Sequence, residues 1–139
     1  MKRFVLDASV ALAWFIDNPI PPLAERLRRD LLSGDKAVVP ALWHLEMANG
    51  FVMAERRRTL AARDVTRAME EISFLLGPVI ESDTDLLSMK QVLATARTFQ
   101  LTAYDAVYIE ISTRRELPLA TLDQRLRAAA SKAGVEVIR

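Results

Sequence analysis

The stretch Met1-Lys-Arg-Phe-Val-Leu-Asp-Ala-Ser-Val10 decides the fold. Residues 4–6 form a short apolar run of strand-forming side chains, which is typical of a strand buried on both faces of a parallel sheet. A helical pattern opens at Ser9, so Asp7 falls where the strand gives way to a helix. In α/β folds this junction lies at the carboxyl edge of the sheet, where ligands bind.

The composition limits the class of protein. A chain of 139 residues, 51% of them hydrophobic, can bury one core, and we expect a single domain over residues 1–139. The lack of cysteine excludes a disulfide scaffold, a thiolate zinc site and a thiol nucleophile. No apolar run approaches the roughly 20 residues that span a bilayer. We therefore expect a soluble, cytoplasmic protein with no membrane partner.

The net charge of +1 is too small for a global attraction to nucleic acid. Arginines nevertheless cluster at residues 26–29, 56–67 and 114–115, and planar guanidinium groups suit phosphate recognition. Solvated helix faces explain most such runs, so the clusters alone do not indicate a nucleic-acid site.

Strand-like and helical segments alternate along the rest of the chain. Further strands are expected at residues 37–39, 79–80, 117–121 and 135–138. Helices are expected over residues 9–16, 23–32, 41–60, 64–76, 103–115 and 124–132, with another that follows caps at 82–84 and includes Leu86. This order predicts an α/β fold with a mainly parallel sheet of about five strands flanked by helices.

Local features of the helices can also be predicted. Asp64 and Thr102 are expected to be N-caps, because their side chains can accept hydrogen bonds from the first turn. Leu45 and Met69 are expected to face the core at helical spacing. Gly50 is expected to permit the close approach of a neighbouring helix, at a cost of about 1 kcal/mol in helix propensity.

Four acidic residues differ from the other Asp and Glu residues because they follow buried strands or lie in apolar helices. They are Asp7, Glu46, Asp105 and Asp123. The ends of parallel strands and the helix starts that follow them gather at one edge of a sheet, so these carboxylates are expected to meet there. Two carboxylates about 4 Å apart repel by roughly 4 kcal/mol at an effective dielectric near 20. Such a cluster must take up protons or bind a cation.

A hard divalent cation is the natural partner for this cluster, since no Lys is adjacent to any of the four in sequence. Mg2+ and Mn2+ prefer oxygen ligands, keep several waters and present open positions to phosphate oxygens. This is the arrangement that metal-dependent phosphodiester hydrolysis uses.

Each acid also has a structural interpretation. Asp7 or Asp123 could serve only as the N-cap of the following helix. Asp105 could simply place a favourable charge at a helix start, and Glu46 could lie on a rim. The functional interpretation depends on all four together.

The order and spacing of these motifs resemble PIN-domain nucleases, specifically the VapC-type toxins of toxin-antitoxin pairs. The resemblance covers nearly the whole chain. Its motifs are Val5-Leu-Asp-Ala-Ser9, Glu46 with Asn49 after a Pro40-to-Trp43 lead-in, Thr102-Ala-Tyr-Asp-Ala-Val-Tyr108, and Ala120-Thr-Leu-Asp123.

The resemblance implies a PIN-like three-layer fold whose acidic pocket binds one or two Mg2+ or Mn2+ ions and cleaves RNA. The acids that would be both catalytic groups and metal ligands are Asp7, Glu46, Asp105 and Asp123. The polar residues that match positions beside them are Ser9, Asn49 and Thr121. The resemblance also implies a homodimer and a VapB-type antitoxin partner.

The expected reaction is hydrolysis, in which a metal-activated water attacks the phosphodiester in line and the 3′ oxygen leaves. His44 is the only histidine, which excludes a ribonuclease with a histidine pair as acid and base. Two alternatives remain open. One is an Asp-phosphorylated receiver or phosphatase, which usually adds a Lys; the other is a non-catalytic interaction module whose acids only cap helices.

Overall fold

A parallel sheet of four strands forms the middle layer of the protein, which we describe from a computed structural model covering residues 1–139. The strands are β1 (Arg3–Leu6), β2 (Lys36–Val39), β3 (Ile80–Ser82) and β4 (Leu119–Ala120). They lie in the order β3-β2-β1-β4, and every neighbouring pair is parallel. The apolar residues of the two central strands are buried, as the continuous apolar runs predict.

Helices cover both faces of the sheet. They are α1 (Ala8–Ile16), α2 (Pro22–Leu32), α3 (Ala41–Arg56), α4 (Ala62–Leu75), α5 (Met89–Phe99), α6 (Ala103–Arg115) and α7 (Gln124–Lys132). Helix α1 packs against α2 and α3, while α5 packs against α6, which contacts β1 and β4. The result is the expected three-layer α/β fold. None of these helices is both long enough and apolar enough to span a membrane.

The core is continuous through the three layers. A cluster of 32 buried residues includes at least one side chain from every strand and every helix. Helix α3 approaches α1 closely at Gly50, where an added Cβ would lie 2.5 Å from a Cδ of Leu12. The glycine therefore permits the close approach that its position in the sequence predicts.

The sheet has four strands where about five were expected. Residues 135–138 form a single bridge, between Val137 and Leu119, instead of a fifth strand. Two hydrogen bonds hold it, from the Leu119 N–H to the Glu136 carbonyl and from the Ile138 N–H to the Leu119 carbonyl. The neighbouring strand β4 has only two residues, Leu119 and Ala120, so residues 135–138 have too short a partner to form a longer ladder.

Two predictions about the core-facing side of helices are also wrong. Leu45 is 75% exposed, because α3 buries the face that carries Trp43, Met47 and Phe51. Met69 is half exposed, because the buried side chains of α4 are Ala68 and Ile72. In both helices apolar side chains occur on more than one face, so periodicity alone does not fix the inward one.

The starts of two helices also differ from the predictions. Asp64 lies in the first turn of α4 instead of at its N-cap, and its carboxylate accepts a hydrogen bond from the N–H of Ala61. Helix α5 is capped by Ser88, which accepts a hydrogen bond from the Gln91 N–H, so Leu86 precedes the helix. Thr102 is the N-cap of α6, as predicted.

Candidate active site

Asp7 lies at the carboxyl end of β1, where the strand order reverses. Strand β1 lies between β2 and β4, and open α/β sheets bind ligands at the crevice where the order changes direction. The backbone N–H of Asp7 donates to the carbonyl of Ala120 in β4. Its side chain is almost fully buried, and it makes no capping hydrogen bond to α1 although it occupies the N-cap position.

Two hydroxyl groups hold the Asp7 carboxylate. Ser9 Oγ donates to Asp7 Oδ2 at 2.6 Å, and Thr121 Oγ1 donates to the same oxygen at 2.7 Å. Each hydroxyl also accepts a backbone N–H, Ser9 from Leu122 at 3.0 Å and Thr121 from Asp123 at 3.0 Å. These bonds join the end of β1 to the turn after β4, and they leave Oδ1 of Asp7 outside the network.

Asp123 caps α7 and also reaches the site. Its Oδ1 accepts the N–H groups of Arg125 and Leu126 at 2.9 and 3.1 Å. Asp123 is therefore the N-cap of α7, but it does not serve only as a cap, because it also lines a cleft with the other three acids. Because both capping bonds go to Oδ1, Oδ2 takes no part in the cap.

Asp105 lies in the first turn of α6, and Glu46 lies in the second turn of α3. Thr102 Oγ1 accepts the N–H of Asp105 at 3.2 Å, which fixes the start of α6. Tyr108, one turn further along α6, is fully buried and donates its hydroxyl hydrogen to Glu46 Oε1 at 2.6 Å. This bond links α6 to α3 beside the sheet edge.

One cleft of about 310 Å³ brings the four acids together. Its lining residues include Asp7, Glu46, Asp105 and Asp123, with Ser9 and Asn49 from the predicted polar set. Thr121 lies beneath it, hydrogen-bonded to Asp7. No Lys lines the cleft, so the lysine that a phosphoryl-accepting site usually adds is not supplied here.

The charges of these acids are not neutralised by ion pairs. The salt bridges of the protein lie elsewhere, between Arg3 and Glu81, between Arg28 and Glu71, and in a group formed by Arg114 and Arg115 with Glu81, Asp83 and Asp85. The charge of Arg125 acts on one of the acids, since it offsets part of the rise in the pKa of Asp105 that is described next.

Burial is the largest cause that raises the pKa of Asp7, Glu46 and Asp105 above their usual values. Mutual repulsion adds to it, because the charge of Asp123 raises the pKa of Asp7 and of Asp105. The charges of Asp7 and Asp105 raise the pKa of Glu46 in the same way. Perturbed carboxyl groups gathered in a cleft are typical of functional sites.

Tyr108 stays protonated in this environment. Burial raises the pKa of its phenol far above the ordinary value, and the charge of Asp7 and the bond to Glu46 raise it further. The phenol is therefore a permanent hydrogen-bond donor to Glu46. The motifs in the sequence predict no role for Tyr108, although its position three residues after Asp105 places both on one face of α6.

The donor set fits a hard divalent cation. All the ligand atoms are oxygens, and a positive charge would offset the repulsion that raises these pKa values. In the present rotamers no group of three or more Asp, Glu or His side chains is arranged to hold an ion by itself. Mg2+ is commonly bound by one or two carboxylates and several waters, so a cage of three is not required.

His44 is not part of this cleft. Its Nε2 lies 2.9 Å from the hydroxyl oxygen of Ser82 at the end of β3, and its side chain is exposed. The structure thus gives His44 a local contact on the surface.

The sequence of the chain matches the PIN domain family over residues 4–132. The chain belongs to the PIN domain family. PIN domains are generally metal-dependent nucleases, which supports a hydrolase that acts on nucleic acids. The resemblance found in the sequence motifs is confirmed at the level of the family.

Solved structures share the fold of this PIN domain. PAE2754 from Pyrobaculum aerophilum is similar with a TM-score of 0.69 and 22% sequence identity, over 92% of this chain and 79% of that chain. A domain of a functionally unknown protein from Methanocaldococcus jannaschii DSM 2661 is similar with a TM-score of 0.59 and 16% identity, over 99% of this chain and 90% of that one. At these identities the likeness shows the fold alone. A comparison with curated proteins gives no match.

Proposed function

We propose that this PIN domain is an endoribonuclease that requires Mg2+ or Mn2+ and acts as the VapC-type toxin of a toxin-antitoxin pair. The observation that carries the proposal is the cleft at the strand-order reversal, where four carboxylates lie without a Lys or Arg ion pair. Family membership supports a nuclease. The proposal also includes RNA as the substrate, Mg2+ or Mn2+ as the metal, the toxin role, a cytoplasmic location and a single domain over residues 1–139.

The proposed roles of the four acids follow from which of their oxygens are already hydrogen-bonded. Asp7 presents Oδ1, because Ser9 and Thr121 both bond to Oδ2. Glu46 presents Oε2, because Tyr108 bonds to Oε1. Asp123 presents Oδ2, because Oδ1 caps α7. In each case the protein fixes one oxygen and leaves the other for the cleft.

Asp7 and Asp105 are the most direct metal ligands in this proposal, Asp123 binds directly or through water, and Glu46 holds a second ion or orients the attacking water. When bound, a divalent cation supplies an acidic water and polarises the phosphate. Ser9 and Thr121 keep Asp7 in one orientation, and Asn49 adds a polar group to the cleft wall. Such supporting bonds matter, since their loss typically reduces metal affinity or activity 10- to 100-fold.

Cleavage of a single-stranded RNA by the purified protein tests the proposal. We expect cleavage with Mn2+ and none with EDTA, and product ends that carry a 5′-phosphate and a 3′-hydroxyl, because water and not the 2′-hydroxyl attacks. We expect Asp7→Asn and Asp105→Asn to abolish it. Unchanged cleavage by either variant, or 2′,3′-cyclic phosphate ends, would refute the proposed chemistry.

A homodimer and a VapB-type antitoxin are the proposed protein partners. They are supported by the motif resemblance and by exposed apolar side chains ahead of and within the start of α5, where Leu86 is 99% and Met89 is 84% exposed. Light scattering on the purified protein tests the dimer, and co-purification with the small protein encoded by the neighbouring gene tests the antitoxin. A monomeric protein that does not bind the small protein would contradict both assignments.

A further inference from the structure

A second groove of about 380 Å³ opens beside the acid cleft. Three of its lining residues, Glu46, Asn49 and Asp105, also line the acid cleft, so the two spaces are adjacent. The remaining walls differ in character. They are formed by Leu42, Leu45, Thr102 and Tyr104.

The walls of this groove contain two large side chains that the core does not use. Tyr104 in the first turn of α6 is 67% exposed, and Leu45 on α3 is the exposed residue described above. Tyr104 directly precedes Asp105, and both residues line the groove. A large exposed ring and an exposed leucine that line one groove are typical of a ligand-binding or partner-binding surface.

Without a bound cation the acid cleft does not attract RNA by charge. Its carboxylates repel phosphates, and the net charge of the chain is only +1. Contacts to the bases would add affinity for a single strand that these charges do not supply. Proteins that bind single strands obtain it by stacking unpaired bases on aromatic side chains, and they contact base edges with hydrogen-bonding groups. Tyr104 supplies a ring here, and Asn49 supplies an amide that both donates and accepts.

We propose that this groove binds one unstacked nucleobase of the RNA, next to the phosphodiester that is cut, with the Tyr104 ring stacked on it. The inference rests on the proposed function and adds the part of the substrate that the protein recognises. The Asn49 amide faces the base edge from the shared wall of the groove and the cleft. The groove thus selects a nucleotide beside the cut, while the acids act on the phosphate.

Kinetics with paired variants and substrates test the groove. The protein variants are wild type, Tyr104→Phe, Tyr104→Ala and Phe74→Ala, the last a matched control because Phe74 is an exposed aromatic residue on α4 that does not line the groove. The substrates are a short single-stranded RNA and the same RNA with an abasic ribose on either side of the mapped cut. The measured quantity is kcat/KM with Mn2+.

We expect Tyr104→Ala to lower kcat/KM on the intact RNA about tenfold, within the roughly 5- to 150-fold that stacking on one base contributes. On one of the two abasic RNAs the wild type should show a similar loss, and Tyr104→Ala should add little to it. Tyr104→Phe keeps the ring and should restore most of the kcat/KM that Tyr104→Ala loses. Phe74→Ala should also match the wild type on every substrate.

Equal kcat/KM for Tyr104→Ala and the wild type on intact RNA would overturn the proposal. So would an equal loss for Tyr104→Ala on the intact RNA and on both abasic RNAs. If Tyr104→Ala leaves cleavage unchanged but alters the oligomeric state in light scattering, the groove is an interface between copies and the nucleobase assignment is wrong.

A binding measurement separates this inference from the proposed function. Fluorescence anisotropy with a labelled RNA and EDTA present reports affinity without cleavage. A wild type that never cleaves RNA would defeat the proposed function, yet an affinity about tenfold weaker for Tyr104→Ala would still support the groove. Unchanged affinity in that variant would defeat the groove whatever the outcome for cleavage.

Discussion

Replacing Tyr108 by Phe removes one oxygen atom and leaves the buried ring in place. That oxygen donates to Glu46 Oε1 at 2.6 Å, so the variant deletes the bond that orients Glu46. A hydrogen bond to a charged group contributes roughly 1.5–3 kcal/mol. Glu46 is only partly buried, so water can replace part of the lost bond, and we expect the lower end, about 1.5 kcal/mol. The corresponding loss in kcat/KM is about tenfold.

The pH dependence of the same variant has a definite sign. The Tyr108 bond lowers the pKa of Glu46 against the burial that raises it. Without the bond the pKa of Glu46 rises further. If ionised Glu46 is needed for cleavage, activity that is lost as the pH falls is then lost at a higher pH in Tyr108→Phe than in the wild type.

The assay is Mn2+-dependent cleavage of a single-stranded RNA, with kcat/KM measured at a series of pH values from 4.5, the ordinary pKa of a Glu side chain, upward. Ser112→Ala is the matched control, because Ser112 is a buried residue on the same helix whose hydroxyl has no hydrogen-bond partner. We expect the control to keep wild-type activity. An unchanged kcat/KM and pH profile in Tyr108→Phe, or an equal loss in Ser112→Ala, would refute the assignment.

Other substitutions probe the stability of the site and its supports. Asp7→Asn should stabilise the metal-free protein at neutral pH. Burial raises the pKa of Asp7 above 3.8, so the stability that Asp7 contributes is full below that value and is lost as the pH rises through the raised pKa. Urea unfolding with EDTA checks this prediction, and a less stable variant contradicts it. Asp83→Ala should lower the unfolding free energy by about 2–3 kcal/mol. This is less than the loss for a fully buried ion pair, because Arg114 and Arg115 are partly exposed. A loss below about 0.5 kcal/mol, the scale of a neutral surface substitution, would contradict this prediction. Gly50→Ala should lose about 1–3 kcal/mol by forcing Leu12 to move and regain about 1 kcal/mol of helix propensity, for a net loss of up to about 2 kcal/mol; a variant more stable than the wild type would count against that close contact.

The pH dependence of the Asp83 contribution has the opposite sign to that of Asp7. Burial acts to raise the pKa of Asp83, but hydrogen bonds and charge from Arg114 and Arg115 outweigh it and lower the pKa below 3.8. The stability that Asp83 contributes is therefore present above that value and is lost as the pH falls through the lowered pKa. Urea unfolding of wild type and Asp83→Ala should converge at acidic pH, and a constant difference down to the lowest pH would contradict this.

The position of Asp7 could be predicted because it depends on short-range sequence. When a buried strand ends at an acid and the chain continues as a helix, an α/β fold places that acid at the carboxyl edge of the sheet. The bounds of α6 and α7 followed from local signals of the same kind, such as the Thr102 cap. Local backbone chemistry thus determined most of the element order.

Contacts between distant residues could not be predicted in this way. The bond from Tyr108 to Glu46 joins residues 62 positions apart, and the pairing of Arg114 with Asp83 joins residues 31 apart. The exposed position of Leu45 was missed because α3 has apolar residues on several sides, and its packing against neighbouring layers decides which side is buried. Such choices depend on the tertiary structure, which periodicity does not contain.

Calorimetric titration of Mn2+ into the purified protein measures most directly whether the four acids form a divalent-cation site. We predict saturable binding by the wild type, accompanied by a melting temperature that rises with ion concentration. Asp7→Asn and Asp105→Asn should each weaken that binding at least about tenfold. Mn2+ binding that is absent from the wild type, or equally tight in both variants, would contradict a metal site at this edge of the sheet.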